Sequence, residues 1–287
     1  MAIEPSSLPD FDIMLGGFPC QSFSVMGQRE GMADARGQII LGLANILREK
    51  NPSHFLLENV KGLISHDGGN TLRTITRLLE DCGYRVSYQL MRSVEIGIPQ
   101  MRERVFLAGT RDDLPDTGPI RSPTPRKLQP LRDFLIDTDP THVLDLDSPK
   151  GRTFLGYLNN RYNAGQHNLA DYLREEGLVL DTRQSDLRLY RDVVPTLRTG
   201  RHGILYVRNG QLRSLSGFES LLLQGVPQSL ARRARQRINN RALLSQAGNA
   251  MTVPVVEEVA RQMFACGEVQ PAATAPHAYA RSYAVAA

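Results

Sequence analysis

The sequence predicts an α/β fold, a parallel sheet with helices on both faces. Short apolar runs alternate with segments of helical periodicity between Phe11 and Ala108, the signature of successive strand–helix units. Turn residues close the helical segments, at Asn51-Pro52 and at Gly83, where a helix cannot easily continue. The size suits such a fold: 287 residues at 41% hydrophobic and 22% charged content allow one large domain or two modest ones. That balance excludes a disordered chain.

In chain order, Phe11 to Leu15 reads as a buried strand. It leads into Gly16-Gly17-Phe18-Pro19-Cys20-Gln21-Ser22-Phe23-Ser24. The glycines permit a sharp turn and Pro19 fixes the backbone before the sulfur. Cys20 therefore falls on a loop at a strand end, where open α/β sheets gather ligands and catalytic groups. The plain alternative is an inert cysteine in a tight turn. Glu30 to Arg36 is polar and reads as a loop, and Gly37 to Lys50 has the spacing of a helix in Ile39, Ile40, Leu43, Ile46 and Leu47. His54 to Leu57 is a strand ending at Glu58-Asn59-Val60. After a loop at Gly68-Gly69-Asn70, Leu72, Ile75, Leu78 and Leu79 mark a second helix. Tyr84 to Met91 and Arg104 to Ala108 read as further strands.

From Arg111 to about Pro140, prolines and charges break every pattern, as a boundary or linker does. Thr141 to Asp186 is mixed, with a short helix expected over Asn168 to Glu176. Val193 to Gly217 reads as short strands with glycine turns, and Leu221 to Leu223 as a short helical stretch. Gln246-Ala247-Gly248-Asn249 reads as a turn. Thr252 to Phe264 reads as a helix with Pro254 near its start and Val255, Val256, Val259 and Met263 inside. Alanine, proline and small polar residues beyond Gly267 predict an unstructured tail.

The chain has no run of about 18 apolar residues, so no membrane span is expected. Met1 to Asp10 lacks a secretory pattern. Cys20, Cys82 and Cys266 match neither a disulfide framework nor a zinc-ligand spacing, so no metal is expected and a reducing cytoplasm fits. The net charge is +4, and residues 183–241 contain many arginines and no lysine. Arginine forks suit phosphates and guanine edges, although scattered surface arginine is common.

A thiol needs a lowered pKa or a proton-accepting neighbour to become a nucleophile. Glu58 ends one strand, and Gln100-Met101-Arg102-Glu103-Arg104 enters another. Strand ends on one sheet edge converge, so thiol, carboxyl and guanidinium can face one pocket. Taken alone, the glutamate reads as a solvated surface group and the Arg-x-Arg pair as an exposed strand.

Taken together, these residues resemble the DNA (cytosine-5)-methyltransferases. The likeness covers Phe11 to Arg111 and again Pro195 to about Met263. It is carried by Gly17-Phe18-Pro19-Cys20-Gln21-Ser22-Phe23-Ser24, Asp34-Ala35-Arg36-Gly37, Glu58-Asn59-Val60-Lys61 and Gly97-Ile98-Pro99-Gln100-Met101-Arg102-Glu103-Arg104. Pro195-Thr196-Leu197, Leu223-Gln224-Gly225-Val226-Pro227 and Gln246-Ala247-Gly248-Asn249-Ala250 follow in the family's order.

The resemblance implies an S-adenosylmethionine-dependent, Rossmann-like sheet with a smaller target-recognition domain. It implies methyl transfer to C5 of a cytosine flipped out of double-stranded DNA, within restriction–modification or by a solitary methylase. Cys20 would add to C6, Glu58 would hold N3 and the exocyclic amine, Arg104 the base carbonyl, and Arg102 and Asn59 would order the site. Gln21, Ser22, Ser24, Arg36, Arg198 and Arg201 would meet DNA. Gly17, Pro19, Ile39, Asn249, Ala250 and Met251 would form the cofactor rim. The division implied is a partial catalytic domain over 1–112, a target-recognition domain over 113–240, a returning helix over 241–264 and a tail over 265–287. For Arg232 to Arg237 a solvated helix face is the alternative.

The family's Phe-x-Gly-x-Gly-Gly turn and the acidic residue ending its second strand are not found in these 287 residues. Two strand–helix units, about 60 residues, are expected to be missing from the sheet. Three explanations are then expected to compete: a fragment or mis-assigned start, a split-enzyme half completed by a second chain, or a decayed product that binds DNA weakly or does nothing. A cysteine hydrolase would need a positioned histidine, and neither His54 nor His66 sits in a motif.

Overall fold

The computed structural model describes residues 4–18 and 37–264. Pro19, Cys20, Gln21, Ser22, Ser24 and Arg36, the loop over Glu30 to Arg36 and the tail from residue 265 lie outside them. The chain forms two units. Among described residues the first comprises those up to 92 with 103–124 and 255–264, and the second comprises 93–102 and 125–254.

Strands β1 (Ile13–Gly17), β2 (His54–Val60), β3 (Tyr84–Arg92), β4 (Gln100–Met101) and β5 (Glu103–Arg111) come first in the chain. All but β4 form the sheet of the first unit, in the order β1-β2-β5-β3. β1 and β2 are parallel, joined through helix α1 (Gly37–Lys50). Helix α2 (Asn70–Glu80) leads from β2 to β3. β5 is antiparallel to both β2 and β3, which corrects the expected all-parallel sheet. Residues 93–102, between β3 and β5, are too few for the crossover of a dozen or more residues that a parallel return needs. β5 therefore folds back and inserts between β2 and β3.

Ile40 and Leu47 of α1 and Leu72, Ile75 and Leu79 of α2 recur at helical spacing. They form one core with Phe55, Leu57, Val105 and Leu107 of the sheet. The expected buried strand over Phe11 to Leu15 runs two residues further on and, among the described residues, stands at the end of the sheet. Met14 enters the core, whereas Ile13 and Leu15 are 42% and 62% exposed. Alternating side chains take opposite faces, and β2 is the neighbour of β1 among the described residues.

Gly109 lies directly opposite Phe55. A Cβ there would sit 2.1 Å from the Phe55 ring, so the phenyl group occupies the space a side chain would take. Gly109→Ala should lower stability by about 1–3 kcal/mol, read as an earlier urea midpoint. An unchanged midpoint would show that Phe55 moves aside freely.

In the second unit, β6 (Val179–Asp181), β7 (Arg188–Tyr190), β9 (Ile204–Arg208) and β10 (Gln211–Ser214) form an antiparallel sheet ordered β10-β9-β6-β7. β8 (Val194–Pro195) pairs in parallel with β4. Asn209 and Gly210, both at positive φ, make the tight β9–β10 turn that an Asn-Gly pair favours. Helix α3 (Pro149–Leu158) was not expected, although Ser148 caps it and Pro149 opens it, a usual start signal. The short helix expected over Asn168 to Glu176 shrinks to α4 (Leu169–Tyr172).

Helix α5 (Gly217–Leu223) begins earlier than the apolar run suggested, at a capping box made by Ser216 and Glu219. Helix α6 (Gln228–Arg237) carries Arg232, Arg233 and Arg237 exposed. Gln246 to Asn249 is not a turn. It is the last turn of α7 (Asn240–Asn249), where a Cβ on Gly248 would come within 2.3 Å of the Thr199 amide. Close backbone approach, not chain reversal, calls for that glycine. In the last helix, α8 (Val253–Phe264), Val255, Val259 and Met263 are buried and Val256 is half-buried. Phe264 meets the His54 ring edge-on at 4.9 Å.

A buried acid pair stiffens the second unit. Glu219 accepts from the Asp137 amide at 3.0 Å and the Tyr206 hydroxyl at 2.8 Å. Burial pushes its carboxyl above the usual range. Burial opposes the charge of Asp137 too, but the Asp139 amide, Ser216 and the nearby Arg235 outweigh it and hold that carboxyl low. A depressed carboxyl stabilises the fold above its unfolded pKa and loses that stability as pH falls through the folded value. Asp137→Asn should therefore flatten the acid limb of stability below about pH 4. Equal steepness in both proteins would sink the assignment.

Candidate active site

Glu58 and Asn59 stand near the C-terminal end of β2, and Arg104 near the start of β5. The antiparallel register sets Val60 opposite Arg104 and Glu58 opposite Phe106. Glu58 and Arg104 therefore share one face as diagonal neighbours. Their side chains meet, with Arg104 Nε 2.7 Å from Glu58 Oε1 and both largely buried, at 17% and 15% exposure. Convergence of strand ends was expected of parallel strands, but it comes from an antiparallel pair.

Gly17 ends β1 directly opposite Glu58. A Cβ on Gly17 would lie 3.6 Å from Glu58 Oε2, so the carboxylate rests against bare backbone. Asn59, 2% exposed, donates from Nδ2 to the Phe18 carbonyl at 2.9 Å, and its Oδ1 accepts from the Val60 amide at 2.8 Å. This ties the β1 end to the β2 end just before the cysteine loop. On the other face of β5, Glu103 bonds Lys61 at 2.9 Å and Arg92 at 3.0 Å. Burial raises the Glu103 pKa, but these two cations prevail and hold it below the usual range.

The histidines that a hydrolase would need are engaged elsewhere. His54 Nδ1 lies 3.2 Å from Thr110 Oγ1, and His66 Nδ1 lies 2.6 Å from Thr71 Oγ1. Among the described residues no group of His, Cys, Asp and Glu is arranged to hold a metal, and no helix is long and apolar enough to cross a membrane.

Arg102 belongs to the second unit and is 3% exposed. It donates to the carbonyls of Ala250 at 2.7 Å, Leu197 at 3.3 Å and Gly248 at 3.4 Å. Sequence reasoning missed the residues that complete this frame. Gln100 Nε2 donates to the Leu223 carbonyl at 2.8 Å, and Gln224 Nε2 to the Ala247 carbonyl at 2.6 Å. Thr252 Oγ1 donates to Gln224 Oε1 at 2.8 Å. Gln100 and Gln224 lie inside recognised motifs, and a glutamine between apolar neighbours was the available signal. Replacing Arg102 with Met should cost about 2–4 kcal/mol, because carbonyls lose charged hydrogen bonds. Lysine, lacking the fork, should not restore it. A urea midpoint fully rescued by Arg102→Lys would refute this role.

Of the rim residues, Ile39 on α1 is 41% exposed. In the second unit, Asn249 is exposed, and Ala250 and Met251 are half-buried.

The architecture recurs in solved methyltransferases. EhMeth of Entamoeba histolytica aligns with 88% of this chain and 77% of its own at TM-score 0.60 and 15% identity. The Dnmt2 methyltransferase of S. pombe aligns over 91% and 82%, at TM-score 0.59 and 19% identity. The chain thus shares the α/β fold of these solved proteins.

Sequence relatives narrow this. The type II methyltransferase M.NgoBI of Neisseria gonorrhoeae is 34% identical over 89% of this chain and 74% of its own length. M.HaeII of Haemophilus aegyptius is 32% identical over 91% and 76%. The family model for C-5 cytosine-specific DNA methylases matches residues 1–265, and the chain belongs to that family. By family it is a DNA (cytosine-5-)-methyltransferase, with DNA as substrate and S-adenosylmethionine as methyl donor.

Proposed function

We propose that this chain methylates cytosine C5 in double-stranded DNA through a covalent adduct between Cys20 and C6 of a base flipped out of the helix. The observation that carries the reading is the Glu58–Arg104 pair, 2.7 Å apart beside Gly17. Cytosine C5 is a weak nucleophile. Addition of the Cys20 thiolate to C6 pushes electron density to C5 and makes it enamine-like. Glu58 holds N3 and the exocyclic amine and favours the protonated ring as charge develops. The Arg104 guanidinium, which also donates to the Glu103 carbonyl at 2.8 Å, meets the base carbonyl oxygen. Asn59 steadies the loop through Phe18. Once C5 carries the new methyl group, a base removes the C5 proton, the C6–S bond breaks and the thiolate leaves. Gln21, Ser22, Ser24 and Arg36 are the DNA contacts of this reading.

S-adenosylmethionine, when bound, supplies an electrophilic methyl group. Within the first unit, exposed apolar Ile39 suits the edge of such a site, as does Gly17. The Phe-x-Gly-x-Gly-Gly turn is not among these 287 residues. On this reading the rest of the cofactor site comes from outside them, from a preceding segment or a second chain. Without it, the chain acts as the DNA-binding half of the enzyme.

The test is covalent trapping. Duplex DNA carrying 5-fluorocytosine, incubated with cofactor and the reconstituted enzyme, should give a complex that survives denaturing electrophoresis. Methyl incorporation without any trapped complex would defeat the adduct.

A further inference from the structure

The second unit contains an open cleft of about 540 Å³, lined in part by Asn160, Arg161, Tyr162, Gln184, Ser185 and Arg201. No aspartate or glutamate is among its lining residues. Its walls are three turns tied together by hydrogen bonds. Asn160 Nδ2 and Asn163 Nδ2 both donate to the Ser185 carbonyl, at 3.0 and 3.2 Å. Thr182 donates to the Gly203 carbonyl from its amide at 2.8 Å and its hydroxyl at 2.9 Å.

The arginines of this unit separate into two groups. Arg183 is 4% exposed, forked onto Asp181 at 2.6 and 2.8 Å and bonded to the Thr196 carbonyl at 2.8 Å. Arg188, Arg191 and Arg235 pair with acids, and Arg208 and Arg213 with backbone carbonyls. These brace the fold. Arg201 is exposed, and its guanidinium has no partner among the described residues. The Gln184 amide has none either. Arg161 lies 4.6 Å over the Tyr162 ring, and both are exposed.

We infer that this cleft reads the DNA sequence: Arg201 and Gln184 contact base edges in the major groove, and Arg161, stacked on Tyr162, contacts the flanking phosphate. A free guanidinium fork matches guanine O6 and N7, and a free amide matches adenine N6 and N7. A cationic cleft without carboxylates suits a polyanion. The inference rests on the DNA-methylase reading and says which residues choose the sequence.

The experiment selects duplexes with a randomised core on the full-length chain, its variants and an Arg232→Ala control on the exposed face of α6. Arg201→Ala should relax the selected sequence at particular positions, with about 5–150-fold lost discrimination. Arg201→Lys should keep overall affinity but lose the same discrimination, because it keeps charge without the fork. Arg161→Ala should weaken all sequences evenly and shallow the salt dependence by about one unit of slope. Arg232→Ala should match wild type. If Arg201→Ala and Arg201→Lys select the wild-type sequence undiminished, the cleft assignment is overturned and the methylase reading stands. If the wild-type chain selects no sequence at all, the inference falls together with the reading beneath it.

Discussion

Glu58→Gln is expected to slow methyl transfer by about 10²–10⁴-fold, the range for losing a positioned acid–base group, while duplex binding is retained. Glutamine has nearly the same shape and keeps an oxygen for Arg104, so the ion pair becomes an ordinary hydrogen bond and the sheet edge stays in place. What it cannot do is hold a proton against N3 while charge builds on the ring. Single-turnover transfer of labelled methyl by the complete enzyme measures this, with DNA affinity measured alongside. A rate within tenfold of wild type would remove Glu58 from the chemistry. Equal losses of rate and binding would make it a structural residue of the β2 end.

The pairing that places Glu58 was only partly legible in the sequence. Periodicity located α1, α2 and the strands, because each has one apolar stripe facing one core. It could not give the direction of β5, since an apolar run reads the same in either sense. The short link over residues 93–102 held that information as a length. The exposure of Ile13 and Leu15 was hidden for the same reason: an edge position belongs to the sheet, not to the strand. In the second unit the signals are local and weak. Ser148-Pro149 announced α3, whereas Gly248 looked like a turn because a glycine required by a neighbouring backbone and one required by positive φ carry the same letter. The family motifs were the clearest part. They follow one another in the family's order, but the meeting of Glu58 with Arg104 through register was visible only in three dimensions.

Cys20→Ser is expected to abolish the covalent complex with 5-fluorocytosine DNA altogether. Trapping needs addition at C6, methyl transfer and then a blocked elimination, because fluorine cannot leave C5 as a cation. A serine hydroxyl is far less ionised than a thiol at neutral pH, so the first step fails. Cys82 provides the internal comparison. Its thiol is half-buried and donates to the Leu78 carbonyl at 3.1 Å. Burial raises its pKa, against the opposing charge of Arg48, which leaves it a poor nucleophile. Cys82→Ser should accordingly trap as well as wild type. An adduct that persists in Cys20→Ser and disappears in Cys82→Ser would move the nucleophile to the α2 end and undo the site built around Glu58.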